Sequence, residues 1–149
     1  EDFVFKIIVF VGLLMVPTLP VAERDRISFS AKYTIPIVPV GPTTFEVIEA
    51  DGAGGTQLWC AGGIFTRRVL GVERGNLTVK NVRGPSQMVL GRKAVTFTTD
   101  IVPGAKKSYS EGVRTAGKTM SIGHANALCD PDVIGNLKIR LPNGQLVYR

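Results

Sequence analysis

The stretch at residues 58–72, LWCAGGIFTRRVLGV, sets a cysteine beside the only tryptophan of the chain. It then runs through two glycines into a pair of arginines. Apolar residues recur in this stretch at the spacing found on the buried side of a helix. The spacing predicts a helix over residues 57–70, whose apolar side is formed by Leu58, Ala61, Phe65 and Val69.

Both ends of this predicted helix carry residues that helix ends favour. Thr56 is the expected N-cap, and Gly71 is suited to the left-handed conformation that closes many helices. The Gly62-Gly63 pair costs about 2 kcal/mol in a helix interior relative to two alanines. Glycines at such a cost indicate a place where another backbone approaches closely.

The remaining elements follow from alternation and turn residues. Half-buried strands are predicted at 27–30, 45–48, 76–82, 93–99 and 109–115. Residues 33–40 are β-rich but contain Pro36 and Pro39, which predicts an edge strand or an extended arm. A short helix is predicted at 121–129, capped by Ser121 and ended by Asp130-Pro131. Asn143-Gly144 predicts a terminal hairpin between 137–141 and 145–148.

This order of elements predicts an α+β fold. Sequential strands with short connections favour an antiparallel sheet, and the two helices would pack on one face of it. Each predicted helix carries one cysteine, so a disulfide would tie the helices together over the sheet. Residues 23–149 are enough to form a single small domain with its own core.

Residues 1–22 match a secretory signal peptide. Lys6 precedes an apolar run at 7–16, and small residues lead into a charged segment that begins at Glu23. The apolar run is shorter than the roughly 20 residues that span a bilayer as a helix. The alternatives are an anchor retained over residues 3–16 and a buried strand or helix.

The two cysteines, Cys60 and Cys129, decide between several chemistries. An even cysteine count in an exported chain predicts one structural disulfide. The alternative is a cysteine hydrolase or amidase in which Cys60 is the nucleophile and His124, the only histidine, is the base. A zinc site would have to combine both cysteines with His124 and Asp130 or Asp132. The spacing lacks the close Cys and His pairs of structural zinc sites, so no metal is predicted.

The whole chain carries a net charge of +6. Its basic residues are concentrated in the middle of the sequence. Between Arg67 and Lys118 there are eleven basic residues and three acidic ones. This imbalance favours an anionic polymer or an acidic protein of the cell envelope as partner, although a solvated basic surface would show the same pattern. Aromatic residues are not interleaved with the charges, which argues against nucleic acid. The residues selected as candidates for anion or partner binding are Arg67, Arg68, Arg92, Lys93, Lys106 and Lys107.

Four short segments resemble small exported bacterial proteins of unassigned function. They are WCA at 59–61, RRVLG at 67–71, TTD at 98–100 and GHAN at 123–126, which precedes Cys129. The resemblance spans about half of the chain. It implies a bacterial periplasmic or secreted setting and no catalytic residue. Together with the composition, it predicts a non-enzymatic binding or accessory module without a cofactor.

Overall fold

A computed structural model describes residues 33–149 of the chain. The predicted signal peptide, the alternative anchor and the strand at 27–30 lie outside the described residues. The strands are β1 (Tyr33–Pro39), β2 (Thr44–Ile48), β3 (Asn76–Pro85), β4 (Lys93–Thr98), β5 (Lys106–Lys107), β6 (Lys118–Ser121), β7 (Leu137–Arg140) and β8 (Leu146–Tyr148). The helices are α1 (Gly55–Ile64), α2 (Ile122–Ala127) and α3 (Pro131–Ile134), and a π-helical turn, Phe65–Val69, extends α1.

The fold is α+β, as predicted, but its sheet is mixed and not antiparallel. The strand order is β5-β6-β3-β4-β2-β1-β7-β8. Two pairs are parallel, β1 with β7 and β5 with β6, and the other pairs are antiparallel. The β1–β7 pair joins residues about a hundred positions apart in the sequence. Alternation within each strand carries no information about such a distant partner, so the prediction of a wholly antiparallel sheet was wrong.

Strand β1 lies inside the sheet, whereas its two prolines predicted an edge strand or an arm. Its first half, Tyr33 to Pro36, pairs with β7, and its second half, Ile37 to Pro39, pairs with β2. Beyond the end of β2, the Asp51 carboxylate accepts the Thr34 N–H at 2.9 Å. An interior position is compatible with proline here because each half of the strand has a ladder on only one side.

The first helix and its continuation differ in detail from the predicted helix at 57–70. Gly54 is the N-cap in place of Thr56, and the Gln57 side chain accepts the Gly54 N–H at 2.9 Å. After Ile64 the helix widens into the π-helical turn, in which the Leu70 N–H donates to the Phe65 carbonyl at 3.0 Å. The predicted left-handed glycine is confirmed, since Gly71 has φ +71°.

Residues 33–149 contain three helices, not the two that were predicted. Ser121 caps α2 by accepting the His124 N–H at 3.1 Å, as expected. The Asp130-Pro131 pair, expected only to end this helix, also starts another. The Asp130 side chain accepts the Asp132 N–H at 2.9 Å, and proline occupies the first turn, where its missing N–H costs nothing.

The segment 109–115, predicted as a strand, forms none. It crosses the N-terminus of α1 as a loop, and its only buried residue is Val113. The Val113 carbonyl accepts the Arg83 N–H at 3.0 Å. The segment is therefore a connection between β5 and β6 with one buried residue, Val113, and not a strand with a buried face. Within residues 33–149, the strands predicted at 45–48, 76–82 and 93–99 and the terminal hairpin are confirmed.

Aromatic rings join α1 to the sheet. The Trp59 ring lies 4.8 Å from the Phe97 ring, and the Phe65 ring lies 4.5 Å from the Phe45 ring, measured between centroids. All four side chains are buried. Edge-to-face or tilted aromatic packing of this kind adds to the stabilisation from buried apolar area. The helix is thereby fixed over the centre of the sheet, on β2 and β4.

The opposite face of the sheet is lined by polar side chains that are nevertheless buried. Thr44, Thr98, Thr78 and Thr119 form a row across four neighbouring strands. Thr44 donates to Thr98 at 3.2 Å, and Thr78 donates to Thr119 at 2.8 Å. Hydrogen bonds between the hydroxyl groups offset the cost of removing them from water.

Glu46 belongs to this polar face and is 1% exposed, although alternation placed it on a solvent-facing side. Its carboxylate accepts the Ser86 hydroxyl at 2.6 Å and the N–H groups of Gln87 and Met88 at 2.8 and 3.1 Å. The loop between β3 and β4 therefore folds over this face. A buried carboxylate is tolerated because these donors replace its hydration.

The Cys60–Cys129 disulfide is present, with 5.0 Å between the two Cα atoms. Cys60 lies in the middle of α1, and Cys129 follows the C-terminus of α2. Gly63, one turn after Cys60, faces the backbone of Ala125 and Asn126 in α2. The close approach predicted from the glycine pair is confirmed at Gly63.

We expect Gly63→Ala to destabilise the fold more than Gly62→Ala. A Cβ at position 63 would lie 2.8 Å from the Asn126 nitrogen, which is backbone, whereas a Cβ at position 62 would lie 3.0 Å from the Leu77 side chain. Both variants gain about 1 kcal/mol of helix propensity. Urea denaturation should show a loss of about 1–3 kcal/mol for Gly63→Ala. Equal unfolding free energies for the two variants would contradict the backbone contact.

Removing the disulfide in the double variant Cys60→Ala/Cys129→Ala should lower the unfolding free energy by roughly 4 kcal/mol. The bond closes a loop with a sequence separation of 69, which restricts the unfolded chain. The measurement is chemical denaturation with and without reductant. Reductant should lower the unfolding free energy of the native protein and leave that of the double variant unchanged. A similar response in both proteins would show that the bond does not stabilise the fold.

Candidate functional site

The sulfur of Cys60 is bonded to Cys129, and the described part of the chain contains no free cysteine. Cys60 is also fully buried. A nucleophilic cysteine acts as a thiolate, and a sulfur held in a disulfide supplies none. In this state the chain has no thiol that His124 could activate.

His124 lies at the start of α2, next to an aromatic side chain. Its ring contacts the Tyr109 ring edge-on, with 5.6 Å between centroids. The His124 Nε2 atom is buried and has no hydrogen-bond partner among residues 33–149. Within the same residues, no group of three or more His, Cys, Asp or Glu side chains is arranged to hold a metal ion.

The six basic residues selected from the sequence lie in three separate places. Arg67 and Arg68 are exposed on the π-helical turn, Arg92 and Lys93 lie at the start of β4, and Lys106 and Lys107 form the edge strand β5. Arg68, Lys93 and Lys107 line three different cavities. The structure therefore does not bring the three pairs together on one surface.

A different set of basic residues does converge. Arg83, Arg114 and Lys118 line one cleft of about 450 Å³ at the N-terminus of α1. Arg83 comes from the irregular part of β3, Lys118 begins β6, and Arg114 lies in the loop between β5 and β6. These residues are 35 positions apart at most. These residues come together because β3 pairs with β6. No local sequence motif predicts that pairing.

Two contacts hold the loop that carries Arg114 against α1, and a third joins it to β3. Gly55 has no side chain, and a Cβ there would collide with the Glu111 carbonyl group. The Thr56 hydroxyl donates to the Glu111 carboxylate. Val113 is buried and anchors the loop to β3. Glycine at position 55 is therefore required by the close approach of the loop.

Arg83 is paired within the fold. Its guanidinium group binds the Glu49 carboxylate through two hydrogen bonds, one of them 2.7 Å from Nε to Oε2. The hydrogen bond from Arg83 holds the pKa of Glu49 below its ordinary value of 4.5, and the same bond raises the pKa of Arg83. The Arg83 charge is thus largely compensated by Glu49.

Arg114 and Lys118 remain available to a ligand. Arg114 is exposed and forms no ion pair with any residue in 33–149, and the Lys118 ammonium donates only to the hydroxyl and carbonyl of Ser110 at 3.2 and 3.4 Å. Among residues 33–149, Glu111 is the one acidic residue that lines the cleft. It lies where the positive end of the α1 dipole favours an anion. The cleft suits an anionic group, and the part of its lining that the structure describes includes no histidine or cysteine.

No protein-family model, curated protein or solved structure matches this chain. The resemblance to small exported bacterial proteins therefore rests on the four quoted segments alone. Among the described residues, none of the helices is both long and apolar enough to pass through a bilayer.

We expect Glu49→Gln to reduce the acid sensitivity of the fold. Because the folded-state pKa of Glu49 is lowered, its pair with Arg83 stabilises the protein above the unfolded pKa, and this contribution is lost as the pH falls through the folded pKa. For a partly exposed pair the contribution is up to about 1 kcal/mol. At neutral pH the native protein should have the higher unfolding free energy. As the pH falls to about 3, the unfolding free energies of the variant and the native protein should converge.

The matched control is Glu73→Gln, which changes an exposed glutamate that has no ion pair in residues 33–149. It should leave the difference between neutral and acidic stability unaltered. If both glutamine variants shifted the acid transition equally, the pair with Arg83 would not be its cause.

Proposed function

We propose that this protein is an exported, non-enzymatic binding module that holds an anionic group of a cell-envelope polymer in the cleft at the N-terminus of α1. Arg114 and Lys118 supply the positive charge, and Arg83 forms the wall behind them. The ligand group is a phosphate or a carboxylate, since either can accept hydrogen bonds from guanidinium and ammonium donors. The remaining basic residues attract the polymer at long range.

The observation that carries this proposal is the convergence of three basic side chains on one cleft in which Glu111 is the single acid among the described residues. That acid, Glu111, is bound by the Thr56 hydroxyl at the end of α1. A carboxylate of the chain thus occupies the position that suits an external anion. We infer that the ligand competes with Glu111 for this position.

The export of the protein is supported by two features of different kinds. Disulfides form and persist outside the reducing cytosol, and the fold contains the Cys60–Cys129 bond. Residues 1–22 carry the pattern of a signal peptide. Both fit a periplasmic or secreted protein.

We favour a binding module over a cysteine hydrolase because Cys60 is held in a disulfide bond. Hydrolysis through this residue requires a thiolate, and the sulfur is bonded to Cys129 in a fully buried position. The described residues of the proposed cleft also include no cysteine or histidine.

The cleft can be tested with a fluorescent phosphate polymer, followed by anisotropy at several salt concentrations. Arg114→Gln/Lys118→Gln should weaken binding by about tenfold or more, equivalent to about 1.4 kcal/mol. Glu111→Gln should strengthen binding, because it removes the competing charge while the amide can still accept from Thr56. The dissociation constant should rise with salt for the native protein.

The matched control is Arg74→Gln/Lys80→Gln, which removes the same charge from two exposed residues outside the cleft. It should change binding much less than the cleft variant does. Equal losses in both double variants would mean that the charge acts diffusely and that the cleft is not a site. Absence of binding at low salt would contradict the proposed function altogether.

A further inference from the structure

Strand β8 forms one edge of the sheet, and no described strand lies beyond it. The Leu141 N–H donates to the Gln145 carbonyl at 2.9 Å, which fixes the hydrogen-bonding phase of the hairpin. In an antiparallel ladder, bonded and non-bonded pairs alternate, so Val147 bonds to Ile139. The N–H and C=O groups of Leu146 and Tyr148 then point away from the sheet. Within the described part of the chain, these two donors and two acceptors have no backbone partner.

Two clefts border β8 and share Tyr148 and Arg149 as lining residues. One, of about 590 Å³, is also lined by Arg68 and Val69 of the π-helical turn. The other, of about 400 Å³, is also lined by Cys129, Pro131 and Leu137. Apolar side chains are exposed along this edge, with Leu146 38%, Val69 39% and Tyr148 60% exposed. An extended segment lying beside β8 would have room for side chains in both clefts.

The charged side chains that line these two clefts are all basic. These side chains are Arg68, Lys138 and Arg149, and among residues 33–149 no acidic residue lines either cleft. Pairing of β8 with β8 of a second copy would bring these like charges together, which is unfavourable. The edge therefore favours an occupant that carries negative charge and can adopt an extended backbone.

We propose that an extended, acidic segment of a partner protein adds to the sheet as a strand beside β8. Its backbone pairs with Leu146 and Tyr148, its apolar side chains enter the two clefts, and its carboxylates face Arg68, Lys138 and Arg149. Strand addition gains affinity from main-chain hydrogen bonds and specificity from alternate side chains. The site is separate from the cleft at the N-terminus of α1 and does not depend on the function proposed for that cleft.

The test uses a short synthetic peptide of alternating valine and glutamate, blocked at both ends, added to the full chain. Amide NMR signals of Leu146 and Tyr148 should shift, and their hydrogen exchange should slow, as the peptide is added. A peptide of alternating valine and lysine should cause neither effect. Shifts confined to other residues, or no binding of the glutamate peptide at about 1 mM, would overturn the proposal.

Variants separate the contributions of backbone and charge. Leu146→Pro removes an outward N–H but no bond to β7, and it should weaken peptide binding by about tenfold. Leu146→Ala keeps that N–H and should weaken binding less. If the proline variant perturbs the hairpin, Arg68→Gln/Arg149→Gln tests the same site without touching the backbone and should also weaken binding. Unchanged binding in this charge variant would contradict the proposed partner chemistry.

Two further controls complete the experiment. Arg114→Gln/Lys118→Gln should leave peptide binding unchanged, because these residues line the cleft at the N-terminus of α1 and not the clefts at β8. In sedimentation experiments without peptide, the chain should not self-associate through β8. Self-association through β8 would be recognised because Leu146→Pro would remove it. Such association would assign the edge to a second copy and overturn the proposal of an acidic partner.

Discussion

The contact between α1 and α2 is the constraint on which the rest of the structure depends. Gly63 allows the backbone of α2 to approach α1, and the Cys60–Cys129 bond fixes that approach covalently. The opposite side of α1 places Trp59 and Phe65 against the rings of the sheet. A helix held on two sides in this way has little freedom to shift along its axis. Its two ends are therefore fixed relative to the sheet.

Both proposed surfaces lie at the ends of this one helix. The N-terminus of α1 meets the loop that carries Glu111 and Arg114, where Gly55 permits the close approach. The π-helical turn at the other end brings Arg68 and Val69 beside β8. The disulfide thus holds the helix whose ends form part of each proposed surface.

Local patterns in the sequence were sufficient to predict most elements, because alternation, caps and turn residues act over a few positions. The helix around Cys60, strands β2 and β4 and the Asn143-Gly144 hairpin are examples. The parallel pairing of β1 with β7 could not be predicted this way, because it depends on contacts about a hundred residues apart. Glu46 shows the same limit: a glutamate predicts an exposed position unless the loop that supplies its donors is known.

The candidate sites show how charge density along a sequence differs from charge density in space. Adjacent basic residues, such as Lys106 and Lys107, attract notice in the sequence, yet neighbouring residues on a strand point to opposite faces and cannot both line one cleft from the same face. Arg83, Arg114 and Lys118 are isolated in the sequence and meet only through the sheet. Glu111 lines the cleft that these three residues share, whereas no acidic residue in 33–149 lines the clefts at β8. Binding at the first surface must displace an internal carboxylate, and binding at the second gains main-chain bonds at an open edge, so the second has the smaller internal cost to overcome.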